Sequence, residues 1–241
     1  MDEALATDVE VASRPIGQLA LVVERVENLV FDELEPGQEL PSEGALAKDL
    51  GVSRLTVREG MRQLSARGLI EVRNGRRPVV AHPNGKGIGD YFRNTIRRDP
   101  RALLDLLQVR EALEVHNAYL SARSASRSSL AAMQASIDDM RKGIEDLDAF
   151  VEADVHFHEL LAGATGNHML MTLIEELADS QRSSAVRSLM GHTKLGRPLD
   201  EVVEEHTEIL ACIERRDQQA AAVAMAQHLS STGKDLIAAL R

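Results

Sequence analysis

Apolar residues recur at three- and four-residue intervals from Ile16, through Leu19, Val22, Val23, Val26, Leu29 and Val30. That spacing predicts one helix, which Pro36-Gly37 ends. A second helix follows Pro41, with Ser42 as its N-cap, Leu46 and Leu50 facing inward and Gly51 at its end. Ser53 caps a third, whose apolar face is Val57, Met61 and Leu64 and which closes at Arg67-Gly68. The pattern then turns β-prone over 69–73 and 78–81, around Asn74-Gly75, two residues that tolerate the positive φ of a tight hairpin turn. Helix, helix, turn, helix, hairpin describes a winged helix-turn-helix over 15–81, preceded by a loose polar tail over 1–14. Residues 82–90 hold three glycines and a proline and read as a linker extending to 100, with 91–99 either a short helix or more linker.

Beyond Pro100 the sequence shows no convincing strand. Helical patterns cover 101–122, 127–147, 148–163, 167–190, 199–215 and 217–240, so 101–241 is expected to be an all-α bundle of six to seven helices and the whole chain mainly α. The glycines at 163, 166, 191 and 196 are expected between helices, as C-caps.

Some polar residues sit on stripes that should be apolar. Asp154 and His158 lie four apart on the face of Val151, Val155 and Leu161. His206 interrupts Val202, Val203, Ile209 and Leu210, and His228 falls among Ala221, Ala224, Met225 and Leu229. A buried carboxylate is costly unless paired or metal-bound, and an i, i+4 pair on one helix face can share one ion. Three satisfied core histidines with Asp154 paired to His158 would give the same pattern. Arg110 shares the inward side with Leu103, Leu106 and Leu107, where it either lines a pocket or pairs with Glu114. Asn167 is placed to cap the next helix or to reach the pocket. His156 faces away from Asp154 and His158, and His116, His168 and His192 have no partner at ligand spacing.

Composition sharpens this outline. With 44% hydrophobic and 2% aromatic residues and no Trp, any core must be aliphatic. Cys212 is the single cysteine, which excludes an internal disulfide framework and fits a reducing cytoplasm. There is no apolar run of membrane-spanning length, and the acidic N-terminus lacks the character of a secretory signal. The net charge of −10 argues against a nucleic-acid partner until it is divided: 48–86 carries nine basic residues against three acidic, a local +6, leaving −16 elsewhere. Arg54, Arg58 and Arg62 form one stripe on the third helix, opposite its apolar face. The N-terminal residues of a recognition helix meet base edges, which singles out Ser53, Arg54, Thr56 and Arg58, with Arg62 on the same stripe. The wing tip Asn74, Gly75, Arg76 and Arg77 is placed to follow the DNA backbone. A solvated basic face, or a winged helix used for protein contact, is the alternative.

The stretch PGQELPSEGALAKDLGVSRLTVREGMRQLSARGLI resembles the GntR family of bacterial transcriptional regulators. In that family the equivalents of Arg54, Thr56, Arg58 and Gly75 contact the operator. Two departures stand out. Gly44 replaces a usual Arg, and Gly60-Met61 replaces Ala-Leu, although a mid-helix Gly costs about 1 kcal/mol relative to Ala. FHELLAGATGN, the D-x-x-x-H spacing and two later histidines 22 residues apart resemble the FCD ligand-binding domain of the FadR-like branch. Many members of that branch hold a divalent metal at the positions of Asp154, His158, His206 and His228; others lack these ligands and bind acyl-CoA without metal. The resemblance also implies that Arg110 lines the pocket, with Asn167 as a further effector candidate. Three imidazoles and a carboxylate suit zinc, nickel, cobalt or manganese and leave positions open for a small organic acid. The expectation is a cytoplasmic, homodimeric, metabolite-responsive regulator, most simply a repressor, reading a pseudo-palindromic operator in double-stranded DNA. Two rival readings are a metal-dependent hydrolase and a regulator whose metal is only structural.

Overall fold

The computed structural model describes residues 17–72 and 76–241, and the chain divides into two compact units at Asn84/Gly85. In the first unit, α1 (Gln18–Asn28) runs on into a π-helical turn at Leu29–Glu33, and α2 (Glu43–Leu50) and α3 (Arg54–Ala66) follow. β1 (Ile70–Glu71) and β2 (Val79–Val80) pair antiparallel, with Ile70 opposite Val80. Ser42 and Ser53 accept hydrogen bonds from the Ala45 and Thr56 amides and cap α2 and α3. Gly51 takes the left-handed conformation (φ 65°) that turns the chain between them. The core is Val22, Val26, Leu40, Leu46, Val57, Met61, Leu64, Ile70 and Val80.

Gly60, unexplained in the sequence, has a packing reason. A Cβ there would lie 2.6 Å from Val22 Cγ1. The helix-propensity cost of glycine is therefore set against the close seating of α1 on α3.

The second unit contains α4 (Lys86–Arg98), α5 (Ala102–Ser124), α6 (Arg127–Lys142), α7 (Leu147–Gly163), α8 (His168–Lys194), α9 (Asp200–Glu214) and α10 (Gln218–Leu240). Helix α10 packs against α5, α8 and α9, and α7 against α6 and α8. The apolar cluster binding them includes Met133, Ile137, Phe150, Phe157, Leu161, Ile209, Ile213, Met225 and Leu229. Ser126, Asp146, Asn167 and Asp217 cap the helices that follow them.

Two expectations fail here. The span 82–100 is not wholly linker, because Lys86–Arg98 is helical and packs on α8. Two of its three glycines serve contact rather than flexibility: a Cβ at Gly85 or Gly89 would come within 3 Å of Glu176. Gly191 does not lie between helices either. It is inside α8, where a Cβ would collide with the Asp235 carbonyl of α10, so it marks a close helix crossing. Among the described residues, no helix is long and apolar enough to cross a membrane.

Candidate metal centre and nucleic-acid interface

The first turn of α3 exposes Arg54 and Leu55 to solvent, with Thr56 half-buried. Ser53 is committed to the cap, and its Oγ also lies 2.8 Å from Thr56 Oγ1. Arg58 is forked onto Glu43 of α2, with contacts of 2.9 and 3.3 Å, and this pairing raises its already high pKa further. Arg62 is exposed, 4.0 Å from Glu59. A Cβ at Gly44 would lie 3.5 Å from the Arg54 guanidinium, so the missing side chain leaves room that Arg54 takes up. On the wing, Arg76 is exposed and Arg77 lies 3.5 Å from Glu39. Asn74 and Gly75 lie outside the described residues. Exposed Leu55, which charge arguments passed over, adds an apolar surface able to meet a thymine methyl.

In the second unit the four stripe residues converge. Asp154 and His158 from α7, His206 from α9 and His228 from α10 are all buried, and one ligand atom of each lies within 4.8 Å of all the others. His206 Nε2 is 3.2 Å from Asp154 Oδ1. The opposite ring nitrogen of every histidine lies within 3 Å of an oxygen acceptor. His158 Nδ1 is 2.6 Å from Glu114 Oε2, His206 Nδ1 is 2.7 Å from the Val202 carbonyl, and His228 Nδ1 is 2.9 Å from Glu205 Oε2. Outer partners of this kind fix ring orientation and tautomer, leaving Nε2 free to ligate. Both ring nitrogens of His158 and the Nε2 of His206 are buried without a well-formed hydrogen bond, the contacts of His158 Nδ1 with Glu114 and of His206 Nε2 with Asp154 being ion-pair approaches. Such orphans are rare, and a divalent cation at this point would satisfy both Nε2 atoms at once.

Arg110 is paired with Glu114, as its spacing allowed, and it also faces the cavity. It lines the cavity beside His228 and Asp154 and is ion-paired to Glu114 at 2.6 Å, with both side chains almost fully buried. Burial alone would push the Glu114 carboxyl up, but Arg110 and then His158 outweigh it and hold the group well below the usual carboxylate range. Asp154 is held low in the same way: burial opposes ionisation, and His206 and His158 more than offset it. Burial and the neighbouring His206 push His228 down to about 4, against the pull of Glu205. For His206 burial is outweighed by Asp154 and the Val202 carbonyl, and its pKa rises. The free space among Arg110, Asp154, Glu205, His228, Thr232 and Asp235 is about 20 Å³, enough for an ion or a water.

Residues 20–80 match the family described as bacterial regulatory proteins, gntR family, and residues 105–231 match the FCD domain. The chain belongs to the GntR family, in its FCD-domain branch. This GntR-family chain is similar to the Glc operon transcriptional activator of Escherichia coli K12, with 29% identity covering 92% of this chain and 89% of the other. It is also similar to that organism's galactonate operon transcriptional repressor, with 27% identity covering 90% and 95%. The solved structure of a Streptococcus agalactiae GntR superposes with a TM-score of 0.67 at 27% identity, covering 90% of this chain and 99% of that one. These relatives are transcriptional regulators rather than enzymes, which sets the hydrolase reading aside.

Other assignments in this regulator are revised. Asn167 is an exposed N-cap whose Oδ1 accepts from the Met169 and Leu170 amides, and it does not line the cavity. Its effector role is withdrawn. His156 is exposed and lies 3.5 Å from Glu159, away from the cluster. His192 has a partner that no local spacing could show: its Nδ1 is 2.8 Å from Asp235 on α10, and its Nε2 is 2.9 Å from the Pro198 carbonyl. Sequence reasoning also missed Glu114 and Glu205 as supports for the histidines. Glu114 was visible only as a partner of Arg110, since helix spacing reveals neighbours on one helix and not across the bundle. Asn117, Gln181 and Ser184 are further buried polar groups without hydrogen-bond partners, lying along the same helix faces as Glu114, Ala185 and Ser188.

Proposed function

We propose that this GntR-family transcriptional regulator acts in the cytoplasm as a homodimer that reads a pseudo-palindromic operator, holds a divalent metal and responds to a small organic acid. The observation that supports the metal is the meeting of Asp154, His158, His206 and His228 within 4.8 Å, with the outer nitrogen of each imidazole already occupied. Zinc is the first choice of ion for this donor set, with nickel, cobalt or manganese as alternatives. When bound, the ion would supply a positive centre with open positions for an oxygen ligand. Around it, Glu114, the Val202 carbonyl and Glu205 orient the imidazoles. Arg110 offers a guanidinium fork suited to a carboxylate. On the DNA side, Arg54, Thr56, Arg58, Arg62 and the wing residues Asn74, Gly75 and Arg76 would contact the operator, after the Ser53 cap has set the start of the helix. An acid that binds the two DNA-affinity states unequally shifts operator occupancy by that difference and no more.

The direct experiment titrates a panel of small hydroxy and sugar acids into metal-loaded protein and follows operator affinity. At least one should change it, and the response should vanish in chelator-stripped protein. The small volume of the cavity favours a second reading, a purely structural metal. If no acid alters operator affinity while metal removal lowers the melting temperature, that reading replaces the first.

A further inference from the structure

A second cleft, separate from the metal centre, opens between α4 and α8. It measures about 520 Å³, and its walls include Arg93, Asn94 and Arg97 from α4 and Asp179, Ser180 and Arg187 from α8. The charges here do not cancel. Asp179 is the only carboxylate among the residues lining it, and it is already engaged by Arg93 at 3.0 Å and by Arg182 at 3.0 Å. Arg93 is held further by Asp90. Arg97 and Arg187 have no acidic partner among the described residues, so two guanidinium groups face the cleft uncompensated. Their forks match the oxygens of a phosphate or carboxylate.

Ser180 distinguishes this cleft from a patch of surface cations. It is 1% exposed and lines this cleft, and its Oγ has no hydrogen-bond partner. A serine inside a helix ordinarily bonds back to the carbonyl one turn earlier, as Ser183 does to the Asp179 carbonyl. Burying the Ser180 hydroxyl unmet costs free energy unless something entering the cleft meets it. The volume is within the range of small-molecule sites and exceeds that of a bare ion. Two free guanidinium groups and one hydroxyl donor together call for more acceptor oxygens than a single carboxylate offers.

We infer that the α4–α8 cleft is a binding site for a small phosphorylated metabolite, with its phosphate held by Arg97, Arg187 and Ser180. The site is independent of the metal pocket, and α4 directly follows the DNA-binding unit in the chain. An anion fastening α4 to α8 would therefore act on the helix that continues from that unit.

The test is calorimetry on the full chain, stripped of divalent metal so that the metal centre does not contribute. The probes are inorganic phosphate, glucose 6-phosphate, glucose and citrate. Saturable binding of glucose 6-phosphate, one per chain, with none for glucose, is expected. Binding of inorganic phosphate alone would show that the site takes the ion and not a metabolite, and would overturn the inference. Arg97→Gln and Arg187→Gln should each weaken binding about tenfold or more. Both residues are exposed, so folding is preserved. Ser180→Ala should weaken it about threefold or more without lowering the melting temperature. No saturable binding up to about 10 mM, binding unchanged in both arginine variants, or citrate bound in preference to the phosphate ester would each overturn the inference.

Discussion

On α3, Arg54, Arg58 and Arg62 stand in solvent over a core in which every buried side chain is aliphatic, Met61 included. In the helical bundle the order is reversed. Arg110, Glu114, Asp154, His158, His206 and His228 are packed inside the core itself, and among the described residues every buried charged side chain belongs to this unit. A surface cation can be exchanged with little effect on folding, because water replaces whatever partner it loses. A buried set is mutually dependent: removing one member leaves the next uncompensated. The exposed face of α3 is therefore adjustable residue by residue, and the buried Asp/His cluster is not.

The largest expected effect tests the buried half. His206→Ala should cut zinc affinity by at least about 100-fold, read by calorimetry in the full chain, while operator affinity without metal stays within about threefold. Retained tight zinc binding would dismiss the four-residue centre. The wild-type centre should also weaken as pH falls from about 7.5 to 5.5. Asp154 raises the His206 pKa, so the proton competes with metal there first. His228, held at about 4, stays neutral across that window. Proton release on zinc binding, measured in buffers of different ionisation heat, should grow as pH falls; zero release would remove the histidines as ligands.

Next comes Glu114→Ala, which leaves Arg110 buried without its partner. It should destabilise the chain by about 3–5 kcal/mol in chemical denaturation. A double variant, Glu114→Leu with Arg110→Met, should recover most of that loss. If the single variant is as stable as wild type, the two charges are not coupled as described.

A smaller change tests the DNA-binding core. Gly60→Ala should destabilise by about 1–3 kcal/mol through overpacking, despite the better helix propensity of Ala. Val22→Ala added to it should relieve most of the cost. A stabilised single variant would show that α1 does not sit closely on α3.

The smallest effect on folding belongs to Arg54→Ala. Operator affinity should fall roughly tenfold while the unfolding midpoint stays put. A shifted midpoint would contradict the contrast drawn between the two units.

The sequence made the aliphatic stripes and caps legible because both are local. Ser42, Ser53 and the Val57–Met61–Leu64 face predicted α2 and α3, and the i, i+4 spacing of Asp154 and His158 disclosed half of the buried Asp/His cluster. His206 and His228 were legible as polar interruptions in apolar stripes. What stayed hidden depends on contacts between distant segments. The seat of Val22 on Gly60, the packing of Gly85 and Gly89 against Glu176, and the support of His228 by Glu205 all join residues from different helices. Glycine was the most misleading signal: at 85, 89 and 191 the residue that reads as a break marks helices in close contact.

The buried Arg110–Glu114 pair changes how the proposed sensitivity to an acid would be set. A carboxylate arriving at Arg110 finds the guanidinium already engaged by one the chain supplies. Recognition is then an exchange between an internal competitor and an external one. Its strength would be the difference between two similar attractions, which would keep affinity modest and let small differences in ligand geometry decide the outcome.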